Sequence, residues 1–326
     1  MNIEYLKKDN LETIRRLIID YEFNDYRNYR VLKKKMVNEC LFKQIEDLLS
    51  VNKGISVVVF KKGKDAAGLI ILTDLPWDSK HFGFKMAEIT YLIAKGSYEE
   101  SYKIKRSLVS FILRMCRQNG TRHLSCKIDT ADFSSIHVLE ESDFKIMDTL
   151  LTYIFNRFKH KIPNLKKLYK TRPFKRKDLN TLLKLAQDSF LNSRYYRDAL
   201  LPREKADRLH REWVKNYCSN LKDNRAFVAE KGNKVVGFII YKKNRELKKL
   251  CGTKVVGNGL SAGSPVAKGA YIALIETALE DVILSSHDIA EFDTQVINYE
   301  VIKVYQKFKL DFVRSKYTFH KWLTKV

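Results

Sequence analysis

Residues 101–153 carry the pattern that decides the fold and read SYKIKRSLVSFILRMCRQNGTRHLSCKIDTADFSSIHVLEESDFKIMDTLLTY. Shifted by 166 residues, this stretch falls into register without a gap with residues 267–319, AKGAYIALIETALEDVILSSHDIAEFDTQVINYEVIKVYQKFKLDFVRSKYTF. Apolar positions coincide, so that Leu113 meets Leu279 and Ile136 meets Ile302. Self-similarity at a fixed offset indicates a duplicated structural unit.

Each copy has the same predicted succession of elements. Apolar residues at three- and four-residue spacing predict helices over 104–117 and 271–284. Short apolar strands are predicted over 123–128 and 289–295, followed by helices over 134–141 and 299–308. A last strand closes each copy, over 149–155 and 316–322.

The two copies also agree upstream of the repeat. Alternating apolar residues predict β-hairpins over 57–72 and 226–241. The order of helix, hairpin, strand, helix, strand, helix and strand predicts an α/β (α+β) fold with a mixed, mostly antiparallel sheet flanked by helices. We therefore predict one domain over 1–160, a basic linker over 161–167 and a second domain over 168–326.

Composition excludes several classes of protein. Hydrophobic residues make up 45% of the 326 residues, which is enough for two cores and argues against disorder. No apolar run is long enough to span a membrane, and the N-terminus lacks the apolar core of a signal peptide, so a cytoplasmic protein is expected. The five scattered cysteines predict neither disulfides nor a metal site.

The net charge of +23 attracts polyanions, which include nucleic acid and phosphate-rich small molecules. Much of this charge lies between Arg157 and Lys177. We interpret that segment as a solvated linker. Nucleic-acid binding is not favoured, because no zinc finger or aromatic RNA-binding stripe accompanies the charge.

A strand, a turn and a helix start are predicted around Gly269, and this order resembles the Gcn5-related (GNAT) N-acetyltransferases. Their phosphate-binding motif, Gln/Arg-x-x-Gly-x-Gly/Ala, corresponds to Val266, Gly269 and Tyr271, so only the central glycine agrees. The resemblance implies that acetyl-CoA enters a split in the sheet, with its pyrophosphate at a helix N-terminus. The implied acetyl-CoA contacts are Leu260, Ser261, Ala262, Lys268, Gly269, Ala270 and Tyr271.

Asn298 and Tyr305 strengthen this resemblance. Their spacing of seven residues is two helical turns, so both can lie on one helix face. In the family an asparagine here contacts the cofactor and the tyrosine is often the general acid. The resemblance implies that Tyr305 protonates the departing thiolate, while a backbone N–H near Ser261 or Ala262 holds the oxyanion. A packed helix tyrosine is the alternative.

The chain is also similar to TDP-fucosamine acetyltransferases, which have two GNAT halves, the first of them degenerate. The segments that carry this likeness are 76–83, 193–198 with 213–216, and 294–305 with 317–322. It implies acceptor contacts from Trp77, Arg194, Tyr196 and Gln295. A loop-anchoring Trp77 and a solvated Arg194 are equally compatible with the sequence.

The repeat also predicts which copy is active. At the positions of Gly269, Asn298 and Tyr305 the first copy has Lys103, Asp132 and Leu139. An aspartate would repel phosphates and leucine cannot donate a proton, so catalysis is expected in the second copy alone.

The leading prediction is therefore an acetyl-CoA-dependent N-acetyltransferase, free of metal, that acts on a nucleotide-linked 4-amino-4,6-dideoxyhexose. Two alternatives stay open: another amine acceptor such as an amino acid, peptide or antibiotic, and a degenerate protein that binds without catalysis. A homodimer is compatible with the sequence.

Overall fold

The computed structural model describes residues 2–6, 11–19, 21–51, 54–62 and 65–323. The first repeat supplies strands β1 (Asn2–Tyr5), β2 (Ile55–Lys62), β3 (Asp65–Asp74), β4 (Met86–Ala94), β5 (His123–Asp129) and β6 (Lys145–Asn156). Its helices are α1 (Glu12–Ile19), α2 (Lys34–Val51), α3 (Pro76–Phe82), α4 (Tyr98–Gln118) and α5 (Phe133–Glu141).

The second repeat follows the same plan, with three helices before its central hairpin and strand. Its strands are β7 (Lys170–Pro173), β8 (Asn224–Lys231), β9 (Lys234–Asn244), β10 (Val255–Gly263), β11 (Ile289–Gln295) and β12 (Asp311–Trp322). Its helices are α6 (Leu179–Ser189), α7 (Arg194–Arg197), α8 (Arg203–Ser219), α9 (Arg245–Cys251), α10 (Ala270–Leu284) and α11 (Tyr299–Lys307).

The chain forms two compact units, and the first comprises Met1–Thr149 with Arg314–Val326. Its strand order is β1-β2-β3-β4-β5-β12, in which β4 and β5 are parallel and the other pairs are antiparallel. One face carries α4, whose Leu108 and Ile112 are fully buried against the sheet. The other face carries α1 and α2, with Leu17 and Ile45 in the contact.

The second unit, Leu150–Val313, has the strand order β6-β11-β10-β9-β8-β7. Again the one parallel pair among the described strands of this unit is β10 with β11. Helix α10 covers one face, with Leu274 and Ala278 buried, and α6 and α8 cover the other, with Leu182 and Val214 buried. The predicted fold class, a mixed and mostly antiparallel sheet flanked by helices, is confirmed.

The last strand of each repeat belongs to the other unit. Residues 150–156 of β6 pair antiparallel with β11, and residues 316–322 of β12 pair antiparallel with β5. This division differs from the predicted domains 1–160 and 168–326. Each last strand pairs antiparallel with its neighbour in the other unit. The sequence pattern of the strand therefore does not reveal which sheet it joins.

The segment over 161–167 is not the solvated linker that its charge suggested. Ile162 and Leu165 pack against the α10 side of the second unit's core. Lys167 places its ammonium nitrogen 2.8 Å from a carboxylate oxygen of Glu280. Apolar contacts and an ion pair therefore hold this segment to the second unit.

Two further expectations concern cysteines and membranes. All five cysteines are free and four of them are buried. Among the described helices, none combines the length and the apolar content that a membrane crossing needs.

Candidate functional site

The parallel strands β10 and β11 separate soon after they begin. Their pairing covers Val255 with Ile289 and Val256 with Ala290 only, within the described residues. Beyond this point β10 stays paired with β9, and its register shifts between Gly257 and Leu260. Successive strand N–H groups point to alternate sides, so alternate amides of residues 260–263 face the side that β11 has left. The separation leaves a V-shaped gap between β10 and β11 that is lined by strand backbone, and we call this gap the wedge.

Two glycines of β10 are required at this separation, and the sequence reasoning did not identify them. A Cβ atom at Gly259 would lie 1.6 Å from the carbonyl oxygen of Ile240, and one at Gly257 would lie 2.7 Å from Cβ of Glu291. Both contacts are shorter than real Cβ atoms show. The closeness of the neighbouring strands, which no local pattern reports, explains why these positions were missed.

Helix α10 begins beside the wedge without a side-chain cap. Gly269 stands at its N-cap position with φ of 90°, a left-handed conformation that favours glycine. The first N–H groups of a helix have no intrahelical acceptor, and the helix dipole is positive at that end. Lys268 is exposed next to it. This terminus could hold the phosphates of a coenzyme.

Tyr305 lies on α11 and is 2% exposed. Its hydroxyl is 3.1 Å from the hydroxyl of Tyr271 and donates to the carbonyl oxygen of Asp293 at 3.4 Å. Burial raises the pKa of Tyr305 well above its usual value of 10, and the neighbouring Tyr271 raises it further. The phenol therefore stays protonated at neutral pH and can act as a proton donor.

Tyr271 replaces the small residue that the GNAT motif has at its last position, and its side chain turns toward α11. The Ser261 hydroxyl of β10 donates to the Tyr271 hydroxyl at 3.4 Å. Burial raises the pKa of Tyr271, as it does for Tyr305. Ser261, Tyr271 and Tyr305 thus form a run of three hydroxyl groups, of which only Tyr305 was predicted as a proton donor.

Asn298 and Gln295 lie between β11 and α11. Asn298 is the N-cap residue of α11, and its side chain makes no capping hydrogen bond. Gln295 is the last residue of β11 and pairs with Leu150. The Asn298 side chain is partly exposed at the start of α11, and its contact with a coenzyme stays a prediction.

Arg194 and Tyr196 contact an aromatic cluster around α8. The ring of Tyr196 stacks on His210 at 5.6 Å between centroids, and its hydroxyl donates to Asp207 at 2.9 Å. Arg194 donates to the hydroxyl of Tyr195 at 2.8 Å. These contacts fix α7 on α8, and a contact of either residue with an acceptor stays a prediction.

Trp77 belongs to the first unit, at the start of α3. It is 39% exposed and stacks on His81 with 5.2 Å between ring centroids. Its predicted contact with the acceptor stays a prediction.

In the first unit the corresponding helix α4 begins at Tyr98, five residues before Lys103, the counterpart of Gly269, and its start is capped by side chains. Helix α4 carries a capping box, in which the Ser97 side chain accepts from the Glu100 amide while the Glu100 carboxylate accepts from the Ser97 amide. A carboxylate therefore already occupies the anion-binding end of this helix. Strands β4 and β5 also pair over four residues, from Met86–His123 to Ile89–Cys126, before they separate.

Asp132 has a different role from the one expected. Its carboxylate accepts hydrogen bonds from the ammonium group of Lys105 at 2.7 and 2.9 Å and from the Ser135 amide at 3.2 Å. Lys105 and Asp132 stand at the positions of Tyr271 and Asn298 in the second copy. The Asp132 carboxylate is paired with Lys105 and buried as a cap of α5. Repulsion of phosphates by Asp132 is therefore not what keeps coenzyme from the first unit.

The fold of the chain is similar to that of solved GNAT proteins. The chain is similar to a tandem GNAT protein from the clavulanic acid biosynthesis pathway, with a TM-score of 0.57, 12% identity and 98% of each chain covered. It is also similar to a GCN5-related N-acetyltransferase from Sphaerobacter thermophilus, with a TM-score of 0.62, 10% identity, and 98% of this chain and 95% of that chain covered. The chain therefore has the tandem GNAT fold.

Among characterised proteins, the chain is similar to the spore coat polysaccharide biosynthesis protein SpsD of Bacillus subtilis (strain 168). The two are 25% identical over 261 residues, which cover 78% of this chain and 84% of SpsD. The chain matches no protein-family model.

Proposed function

We propose that the second unit is an acetyl-CoA-dependent N-acetyltransferase and that the first unit does not bind the coenzyme. The observation that carries this proposal is the contrast between the two repeats. Helix α10 begins at Gly269 with no side-chain cap, whereas Glu100 caps α4. The tandem GNAT fold supports acetyl transfer as the reaction.

The residues of the second unit suit direct attack of an amine on a thioester. The amine nitrogen bonds to the acetyl carbonyl carbon, and β10 amides facing the wedge, at Ser261 or Ala262, stabilise the oxyanion. When the carbon–sulfur bond breaks, Tyr305 donates its hydroxyl proton to the departing thiolate. The amine loses one proton to solvent or to a base, and the Tyr305 phenolate takes one proton back from the same source, so that amine and thioester give amide and free thiol with no net change in protons.

We propose the start of α10, at Gly269, Ala270 and Tyr271, as the contact of the coenzyme phosphates, with the Gly269 and Tyr271 amides as donors because the Ala270 amide already donates to the Ala267 carbonyl at 3.0 Å. Lys268 adds a cation there, Asn298 an amide, and Leu260 of β10 faces the pantetheine arm. No metal ion has a part in the proposed reaction, and a cytoplasmic location stays a prediction.

We propose the amino group of a nucleotide-linked sugar as the acceptor. The name of SpsD assigns that relative to polysaccharide biosynthesis, and this supports a carbohydrate substrate here. Gln295, Arg194 and Tyr196 of the second unit are the proposed acceptor contacts, and a contact of Trp77 with the acceptor stays a prediction. The test is release of free coenzyme A thiol from acetyl-CoA with TDP-4-amino-4,6-dideoxyhexoses, compared with amino acids, peptides and aminoglycosides. Release with the latter compounds alone would contradict this acceptor.

The role of Tyr305 is tested by Tyr305→Phe. Loss of the proton donor is expected to lower kcat by about 100-fold or more, since general acid catalysis typically contributes that much. The Kd for coenzyme A is expected to stay the same, as measured by calorimetry.

Tyr299→Phe is the matched control, because Tyr299 lies on the same helix and is 67% exposed. Unchanged kcat in Tyr305→Phe would show that another group protonates the thiolate. Absence of both coenzyme binding and thiol release in the unaltered protein would favour a degenerate binding protein.

A further inference from the structure

A large basic pocket opens at one end of the second unit. Its volume is about 690 Å³, which lies within the usual size of small-molecule sites. It is formed where β9 ends, β10 begins and α10 gives way to β11. The residues that line it are Arg225, Lys243, Asn244, Arg245, Lys248, Lys249, Lys254, Val255, Ser285 and His287.

Six of these side chains are cationic and none is acidic. Two cations are compensated by nearby aspartates, since Arg225 lies 3.7 Å from Asp281 and Arg245 is paired with Asp223. Among the described side chains, no carboxylate forms an ion pair with the four lysines that remain, which are Lys243, Lys248, Lys249 and Lys254. The described side chains that line the pocket therefore carry an excess of positive charge.

Histidine contributes little to this charge. His287 is 8% exposed and lies with Nδ1 2.8 Å from the hydroxyl of Ser285. Burial lowers the pKa of His287, and the adjacent Lys243 lowers it further. The imidazole is therefore neutral at pH 7, and the positive charge of the pocket comes from its lysines and arginines.

The pocket is separate from the proposed transfer site. Val255 is the first residue of β10, whereas Ser261 and Ala262 lie near the end of that strand. Ser285 follows the last residue of α10, whereas Gly269 precedes the first. The negative end of the α10 dipole opposes an anion here, but this effect is small beside several charge-assisted hydrogen bonds.

We propose that this basic pocket binds the polyphosphate group of a small molecule. A chain of three phosphates has the charge that matches the pocket. Such a chain carries about four negative charges at neutral pH, and the pocket offers four lysines without described carboxylate partners. A concave site suits a compact anion better than an extended nucleic acid, which needs a groove or face along its backbone. The proposal goes beyond acetyl transfer.

Calorimetric titration with inorganic tripolyphosphate tests the proposal. The full-length protein is first saturated with coenzyme A, so that phosphate binding at α10 does not contribute. The double variant Lys248→Gln/Lys254→Gln removes two pocket charges and is expected to bind about 100-fold more weakly, at about tenfold for each lost charge-assisted contact.

The matched control is Lys184→Gln/Lys215→Gln, which removes the same charge from exposed positions on α6 and α8. It is expected to bind within twofold of the unaltered protein. Equal weakening by both double variants would show a diffuse field and overturn the proposal. Displacement of tripolyphosphate by a single-stranded oligonucleotide at lower concentration would also overturn it, in favour of nucleic acid.

Lysine labelling gives a second measurement that does not depend on the variants. Tripolyphosphate is expected to slow reductive methylation of Lys248, Lys249 and Lys254 by several-fold while Lys184 reacts as before. Equal labelling rates with and without the anion would contradict the proposal.

Discussion

Tyr271 and Tyr305 show how one substitution in a motif can change the chemistry of a site. A small residue at position 271 would leave Tyr305 with the Asp293 carbonyl as the acceptor at 3.4 Å. With tyrosine present, a second phenol lies 3.1 Å away and contributes to the raised pKa of Tyr305. Tyr271 is therefore a positioning residue for the proposed acid.

Tyr271→Phe tests this role while keeping the ring. Because burial remains the main cause of the raised pKa, Tyr305 is expected to stay protonated at pH 7, with kcat reduced by about tenfold through the lost hydrogen bond. The alkaline limb of the kcat–pH profile is expected to move to lower pH. A lower kcat with an unmoved alkaline limb would indicate a purely structural effect.

His210 makes the stability of the second unit depend on pH. It is 2% exposed, lies between the rings of Phe190 and Tyr196, and burial lowers its pKa from 6.5 to about 4. The unfolded chain takes up a proton near pH 6.5 and the folded protein only near pH 4, so the stabilisation is present above pH 6.5 and is lost as the pH falls to 4.

We expect the free energy of unfolding to fall by about 3 kcal/mol over this range, on the order of 1.4 kcal/mol per pH unit. His210→Phe keeps the stack and should remove that part of the pH dependence in urea titrations. His137→Phe, at an exposed position, is the control. A pH dependence that persists in His210→Phe would assign it to other groups.

At the scale of elements, strand β10 shows which parts of a site a sequence can predict. The amphipathic spacing of α10 and α11 and the apolar runs of β11 and β12 predicted their positions closely, because local periodicity reports the buried face. The spacing of Asn298 and Tyr305 likewise placed both at α11. The need for glycine at Gly257 and Gly259 was not predicted. It arises from how closely Glu291 and Ile240 approach from the neighbouring strands.

Gly259→Ala is expected to push β10 away from β9, because its Cβ would overlap the Ile240 carbonyl. The free energy of unfolding should fall by about 1–3 kcal/mol, as for overpacked interiors, and coenzyme binding should weaken with it. Gly263→Ala is the control on the same strand, since its Cβ would meet only the Val236 oxygen at 4.0 Å. Equal denaturation midpoints for the two variants would refute the steric argument.

At the scale of the whole molecule, the exchange of last strands decides what can fold alone. The two repeats carry interchangeable last strands, each antiparallel to its neighbour, so nothing local in β6 or β12 specifies the sheet it joins. The first unit needs residues 316–322 to pair with β5, and the second needs residues 150–156 to pair with β11. Because each unit is completed by a strand from the other repeat, the folding of one unit depends on the other.

Residues 1–160 expressed alone therefore lack the strand that pairs with Cys126 and Ile128 of β5. The unpaired edge would expose the buried Leu124 and Cys126 side of the core, and we expect no cooperative urea transition and rapid amide exchange across β5. Co-expression with residues 161–326 should restore slow exchange, because β12 is then supplied in trans. If residues 1–160 alone unfold cooperatively with protected β5 amides, their own β6 must complete the sheet, and the strand exchange would not be required for folding.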